Sequence, residues 1–143
     1  MRNLSITLLL TMIASCGGPL SMIPGGELSG DVKSAPLTWA TVPDTIQVET
    51  RPSDPYSINI WSVGLDEHLY IATGADGTTW TEFFATDANV RVRIIDSLYE
   101  LKADLVSSSD ERDTVSSAYV EKYELDPEDN WLQTGMIFRL DRR

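Results

Sequence analysis

Few side chains in this 143-residue sequence are suited to covalent catalysis or to binding a transition metal. Cysteine and histidine occur once each, as Cys16 and His68. A zinc site needs three or four ligands, and a serine hydrolase of the common kind needs a Gly-x-Ser-x-Gly motif, which the sequence does not contain. Acidic residues cluster at 126–129, but Pro127 stiffens that segment and its spacing is not that of an EF-hand calcium loop. The sequence therefore predicts neither catalytic residues nor a metal site.

Cys16 stands at the end of an apolar segment, residues 4–13, which follows the basic Arg2. This form is typical of a secretory signal, and the segment is too short to cross a bilayer, which takes about 20 apolar residues. Residues 13–16, Ile-Ala-Ser-Cys, resemble the lipobox of bacterial lipoproteins. The resemblance implies cleavage after Ser15, diacylglycerol on the Cys16 sulfur and an acyl chain such as palmitate on the new amino group. The alternatives are an ordinary signal peptide with an incidental cysteine, or an N-terminal core strand.

The charge of the mature chain decides which partners suit it. Cleavage after Ser15 leaves 10 basic and 22 acidic residues, a net charge of −12. A field of this sign repels phosphate backbones and anionic headgroups, so we expect no nucleic-acid partner and attachment to the membrane through the lipid on Cys16. Three acyl chains are sufficient for that, since each buried CH₂ contributes about 0.8 kcal/mol. Gly17 stands where an Asp commonly marks inner-membrane retention, so we expect a lipid-anchored protein of the cell envelope at the outer membrane.

The sequence divides into three parts. Residues 1–15 are the predicted lipoprotein signal peptide, residues 16–36 a flexible tether and residues 37–143 a folded domain. The tether is inferred from its Gly, Pro and Ser residues and from its lack of any period. Order is expected to begin near residues 37–39.

Within the domain, most segments have the period of two that is typical of half-buried strands. Strands are predicted near residues 45–50, 56–63, 68–73, 90–95, 99–105 and 135–140. Two helices interrupt them, one over about 79–86 with a capping box at Thr79 and Glu82, and one from the capping box of Ser108 and Glu111 to about Tyr123. Six antiparallel strands with two short helices predict a mainly β domain that forms a barrel or a curled sheet.

The order of these segments resembles the split-barrel proteins related to pyridoxamine 5'-phosphate oxidase and the deazaflavin-dependent reductases. The resemblance covers roughly residues 37–143. It rests on the hairpin 58–63 and 69–74, on Trp80 in the following helix, on the strand 89–94, on the helix 110–123 and on the closing strand 137–140. It implies a six-stranded antiparallel split β-barrel and a homodimer with FMN or a deazaflavin in a groove at the subunit interface.

The resemblance also implies where the cofactor would bind. Its phosphate lies near the turn after the hairpin, at the start of the short helix, where free N–H groups attract anions. In this sequence that place corresponds to Thr73, Gly74, Thr78, Thr79 and Trp80. Many members of the group carry an Arg or Lys in the turn, whereas residues 75–79 supply no positive charge and include an acidic residue at position 76.

Three of the candidate residues have a second interpretation. Arg91 and Arg93 share one face of their strand and could replace the missing charge, but alternating charges on an exposed sheet face favour pairing with Asp or Glu on the neighbouring strand. Trp80 could stack on a cofactor, but its spacing to Phe83 and Phe84 favours a core anchor.

Two functions from different classes remain. The first is a membrane-anchored envelope lipoprotein whose domain is a binding or structural module. The second is a flavin- or deazaflavin-dependent oxidoreductase that uses the interface groove of a dimer. Export before folding favours the first, because a cofactor made in the cytoplasm would have to be loaded outside.

Overall fold

A computed structural model describes residues 25–143 of the chain. The predicted signal peptide, Cys16 and the first part of the predicted tether lie outside the described residues. In the described part no helix is long and apolar enough to cross a membrane.

Seven strands and three helices make up the domain. In chain order they are β1 (Asp31–Lys33), β2 (Thr45–Thr50), β3 (Tyr56–Leu65), β4 (His68–Thr73), α1 (Thr79–Phe83), β5 (Asn89–Ile94), β6 (Ser97–Leu105), α2 (Ser109–Tyr123), α3 (Trp131–Thr134) and β7 (Met136–Arg142). The six predicted strands and two predicted helices are all present. The single-turn helix α3 was not predicted, because four residues are too few to show a helical period.

Six of the strands close into an antiparallel barrel. Neighbouring strands pair in the order β6-β5-β2-β3-β4-β7, and a further ladder between β6 and β7 closes the ring. The short strand β1 adds to β6 in parallel beside the β7 ladder. The mainly β fold and the six-stranded antiparallel barrel predicted from the sequence are therefore confirmed.

The alternating pattern of the strands places one side chain of every two inside the barrel. The interior is a single apolar cluster that draws on β2, β4, β5, β6 and β7, with Trp39 and Trp80 from the connecting segments. Glycine at position 64 lets the chain at Trp39 approach closely, because a Cβ there would lie 2.0 Å from the Trp39 carbonyl oxygen. Apolar side chains from five strands and two connecting segments therefore pack together inside the barrel.

A second apolar cluster lies outside the barrel wall, under α2 and α3. Val115 and Tyr119 of α2 are buried there against Tyr70 and Ile137 of the β4–β7 ladder. The helix begins as predicted, with Ser108 as N-cap and its hydroxyl accepting from the Glu111 amide. The predicted apolar stripe of this helix therefore faces the barrel.

The first described residues differ from the prediction. Residues 25–36 were assigned to the flexible tether, but Gly25–Lys33, which we call the strap, lies across the barrel wall. Gly25 forms a β-bridge with Ser57, Leu28 is buried, and β1 pairs with β6. The boundary at residue 37 is therefore wrong for this stretch. The strap has no period of its own because contacts with distant strands order it, and composition does not reveal those contacts.

Candidate functional site

The barrel opens between β3 and β4. Their ladder ends at Ser62 and Ile71, although β3 begins earlier, at Tyr56, and β4 continues to Thr73. Beyond this point β3 stays paired with β2, and β4 stays paired with β7, so β3 and β4 diverge. A groove of about 330 Å³ lies at the split. Its lining residues are Thr45, Asn59, Ile60, Trp61, Ala72, Tyr119 and Trp131.

Aromatic rings form one wall of this groove. The Trp61 indole stacks on the Tyr123 ring with centroids 4.5 Å apart and planes 11° apart. Tyr123 in turn stacks on Tyr119 at 5.6 Å, and Tyr119 meets Trp131 edge-on at 6.1 Å. Trp61 remains 47% exposed. Because Tyr123 covers one face of the indole, the exposed part of Trp61 is a flat apolar surface at the mouth of the groove.

Hydrogen bonds to the backbone hold this wall in place. The Tyr119 hydroxyl lies 3.1 Å from the Trp61 carbonyl oxygen, to which it can donate. The Tyr123 hydroxyl accepts from the Ser62 amide at 2.9 Å and lies 2.5 Å from the Asp44 carbonyl oxygen. Burial raises the pKa of both phenols above the ordinary value, so both stay neutral. The wall is therefore bonded to the backbone of distant segments and is uncharged at neutral pH.

The lining determines what the groove can bind. None of its seven residues is acidic or basic. Asn59 and Thr45 supply polar groups, and the aromatic side chains supply apolar surface. Aromatic faces bind other planar groups in offset-stacked or edge-on arrangements. The groove is therefore suited to an uncharged planar ring with a few polar substituents.

Two of the predicted cofactor residues lie beside this groove. Thr73 and Gly74 directly follow Ala72, which lines it, at the end of β4. Neither residue is among those that line the groove, so both remain predicted cofactor residues at its edge.

Two further predicted residues, Thr78 and Thr79, begin the short helix α1. The N-cap is Thr78 and its partner at N3 is Thr81, so the predicted capping box at Thr79 and Glu82 is displaced by one residue. The Thr78 amide donates to the Thr81 hydroxyl at 3.0 Å. One of the N–H groups that would attract a phosphate is therefore already bonded within the protein.

Trp80 belongs to the barrel core. It is buried, and its ring meets Phe84 at 5.5 Å and Phe138 at 5.8 Å. The interpretation of Trp80 as a core anchor is correct. Its expected neighbour Phe83 instead lies edge-on to Tyr56.

Arg91 is held by acidic side chains on the outer barrel wall. It faces Glu49 across the β2–β5 ladder and donates to both carboxylate oxygens, at 2.7 and 2.8 Å. Glu27 of the strap accepts a third bond at 3.3 Å. The hydrogen bonds that Arg91 donates to Glu49 raise the pKa of Arg91 above its ordinary value. The interpretation of Arg91 as the partner of an acid on the neighbouring strand is therefore confirmed.

Within one subunit, the predicted cofactor residues do not lie together. Arg93 lies on the same strand as Arg91, and its Nε donates to the Ile95 carbonyl oxygen at 2.9 Å. Strand β5 is three positions from β4 in either direction around the barrel. Arg91 and Arg93 are thus on the opposite side of the barrel from Thr73 and Gly74.

The aromatic wall was not predicted from the sequence. The spacing of Tyr119 and Tyr123 on α2 did indicate a shared helix face, but Trp61 and Trp131 come from remote segments whose meeting depends on the barrel. No cluster of residues that could hold a metal ion is present within residues 25–143.

Several solved structures have the same architecture as this chain. A candidate pyridoxamine 5'-phosphate oxidase from Listeria innocua is 14% identical with a TM-score of 0.55, over 68% of this chain and 82% of that one. An FAD-binding protein from Mesorhizobium loti is 13% identical with a TM-score of 0.56, over 73% and 84%. The chain has their split-barrel fold. A candidate 5-nitroimidazole antibiotic resistance protein from Bacteroides thetaiotaomicron shares it too, at 12% identity and a TM-score of 0.54, over 68% and 71%.

No family model and no curated protein matches the sequence. At these identities the solved split barrels establish the fold of this chain, and its function has to be argued from its own residues.

Proposed function

We propose that this protein is a lipid-anchored binding protein of the bacterial cell envelope, and that its split barrel binds an uncharged planar ring of isoalloxazine size in the aromatic groove. The groove itself is the observation that supports binding of a planar ring. An exposed indole, Trp61, lies at a split in the barrel where no lining residue is charged.

The anchor is supported by the N-terminal sequence. The only cysteine of the chain follows an aliphatic and two small residues at the end of a signal-like segment. The domain carries a large acidic excess, so its own surface is not suited to anionic headgroups. Lipid on Cys16 would supply the attachment, with the outer membrane as the expected destination.

The charges around the groove favour an uncharged ligand. One basic residue beside the aromatic wall is Lys122, whose ammonium lies 5.4 Å from the Tyr123 ring centroid. It donates to the carbonyl oxygens of Val42, Pro43 and Ser62, each at 2.9 Å. A phosphate in the groove would find this cation already occupied and an acidic protein around it.

The second candidate is an oxidoreductase that binds FMN or a deazaflavin in the groove of a homodimer. Two observations favour it, namely the split-barrel fold shared with an FAD-binding protein and the position of Thr73 and Gly74 beside the groove. Where such a cofactor bound, its ring would lie on the aromatic wall and would supply the redox chemistry. In a dimer, the face of β5 on one subunit could then approach the turn after β4 on the other.

One titration separates the two candidates. A soluble Cys16→Ser protein is titrated with riboflavin and with FMN, which share one ring system and differ in the phosphate, and Trp fluorescence and melting temperature are followed. The first candidate predicts that riboflavin binds at least tenfold more tightly than FMN. Tighter binding of FMN would favour the second, and absence of binding by both at millimolar concentration would reject both.

Matched variants locate the binding site. In melting-temperature titrations, Trp61→Ala should weaken riboflavin binding more than Trp61→Phe does, because a phenyl ring keeps part of the stacking contribution of about 0.5–1.5 kcal/mol beyond buried area. Trp61 is half exposed, so neither change should unfold the barrel. Equal affinity of both variants and the native protein would place the ligand elsewhere.

The anchor has a separate test. Cells that express the native chain and the Cys16→Ser variant are fractionated, and the membrane pellet is probed for the protein. We expect the native chain in the membrane and the variant in the soluble fraction. Recovery of the variant in the membrane would show that the attachment lies elsewhere.

A further inference from the structure

The strap crosses four strands of the barrel wall. At its start, Gly25 exchanges two backbone hydrogen bonds with Ser57 of β3, at 2.8 and 2.9 Å. Further along, the Leu28 amide donates to the Glu49 carboxylate of β2 at 2.5 Å. At its end, the Asp31 amide donates to the carbonyl oxygen of Asp96 at 2.8 Å, and β1 joins β6. The strap is thus attached to the barrel from its first described residue onward.

The middle of the strap closes over a buried charge. Glu49 is 0% exposed although it lies on the outer side of the wall. Leu28, which covers it, is 7% exposed, and Glu27 accepts from the same Arg91 nitrogen, Nη2, that donates to Glu49. Loss of the strap would expose the Arg91–Glu49 pair to water and remove one hydrogen bond from its carboxylate. The strap is therefore part of the wall and not a loose extension of it.

The strap also depends on a glycine. A Cβ on Gly30 would lie 2.7 Å from the Asp96 carbonyl oxygen and 3.2 Å from the Leu98 side chain. By contrast, a Cβ on Gly26 would meet nothing within 4 Å. Gly30→Ala is therefore a specific disruption of the strap, and Gly26→Ala is its matched control.

We propose that the strap holds the Ser57 end of the barrel next to the lipid bilayer that carries the Cys16 anchor. This inference rests on the proposed lipid anchor. Nine peptide units separate Cys16 from Gly25, and they span at most about 32 Å at about 3.6 Å each. A tether that ran to residue 37 would contain 21 units and span up to about 75 Å. The strap thus more than halves the reach of the domain.

The short reach favours one orientation of the barrel. The Ser57 end of β3 stays within about 32 Å of the anchor, whereas the turn at Glu67 is about 26 Å further along eight residues of strand and can lie up to about 58 Å from the anchor. The β2–β3 turn beside Gly25 carries no excess charge, because Arg51 and Asp54 pair at 2.9 Å. An anionic bilayer therefore does not repel this turn.

The aromatic groove lies on the anchored side as well. Asn59, which lines it, is two residues from Ser57, about 7 Å along the strand. A ligand that enters the groove would therefore do so near the membrane surface.

The orientation can be measured on the lipidated full-length protein in vesicles of phosphatidylethanolamine and phosphatidylglycerol. Single cysteines at two exposed positions, Ser53→Cys and Glu67→Cys, are labelled with a donor dye, and energy transfer to an acceptor lipid is recorded. The dye at position 53 should show the higher transfer efficiency. In the Gly30→Ala protein this difference should shrink, and in the Gly26→Ala protein it should persist.

Each result supports or overturns the proposal. Equal transfer from both positions, or higher transfer from position 67, would overturn it. A difference that survives in Gly30→Ala, while hydrogen exchange shows the Leu28 amide unprotected, would show that the strap is not its cause. Failure of the anchor is recognised separately, because the native protein would then not bind to vesicles at all, whereas the Leu28 amide would remain protected.

Discussion

The Arg91–Glu49 pair allows a quantitative test of how the outer wall of the barrel is held together. Replacing Arg91 by Met leaves a carboxylate that is 0% exposed with a single described donor, the Leu28 amide. Removal of one partner of a buried ion pair costs about 3–5 kcal/mol, because the other charge stays buried without compensation. At a urea dependence of about 1.5 kcal/mol per molar, the unfolding midpoint should fall by about 2–3 M.

Equilibrium urea unfolding of the soluble Cys16→Ser protein is the assay, followed by Trp fluorescence. Two variants serve as controls. Glu49→Gln combined with Arg91→Met removes the charge but keeps an acceptor for the Leu28 amide, so it should recover most of the loss. Arg93→Met removes a guanidinium from the same strand face, one that donates to a backbone carbonyl oxygen and not to a buried carboxylate. It should lower the free energy of unfolding by less than about 1 kcal/mol.

Two results would refute this reasoning. The first is a loss below about 1 kcal/mol for Arg91→Met, which would mean that the carboxylate is hydrated or protonated at little cost. The second is a double variant as unstable as Arg91→Met itself. Unchanged stability together with weaker FMN binding would instead assign Arg91 to a cofactor, as the second functional candidate requires.

Three further predictions concern other parts of the fold. Gly64→Ala should destabilise the protein by about 1–3 kcal/mol in urea unfolding, because its Cβ would collide with the Trp39 carbonyl oxygen, whereas Gly74→Ala, with nothing within 4 Å, should not. Lys122→Met removes the ammonium that donates to three carbonyl oxygens. It should lower the free energy of unfolding by about 1–3 kcal/mol, which a lower melting temperature would show. Burial raises the pKa of Tyr119, so the phenol stabilises the folded state fully below its unfolded value of 10.0 and progressively less above it. The urea midpoint should therefore fall between pH 9 and 11, and a phenolate signal at 295 nm that appeared in full before unfolding would contradict this.

The strands of this protein were predictable because each carries its own pattern. In β2 and β5 the apolar residues alternate with polar ones, and the structure places the apolar set inside the barrel. The helix α2 was predictable for a similar reason, since its N-cap and its apolar positions lie within one short segment. Local patterns of this kind can be recognised without knowing which strands are neighbours in the fold.

The strap and the aromatic wall were not predictable in this way. Nothing in the Gly- and Ser-rich residues around Leu28 indicates a partner, because that partner, Glu49, lies on a strand 21 positions further on. The groove depends on where the β3–β4 ladder ends, which brings Trp61 and Trp131 to one place. Arg91 shows the same limit, since its spacing allowed two roles and only the register of β2 against β5 decided between them.

The sequence by itself determined the elements, the acidic excess and the lone cysteine with its lipobox-like setting, because these are properties of single segments or of composition. Tertiary structure decided which charges are neutralised, where the barrel opens and where residues 25–33 lie on the barrel wall. These features arise from pairing between residues far apart in the chain. A local pattern specifies which face of a strand is buried, but the identity of the neighbouring strand and its register are set only when the barrel closes.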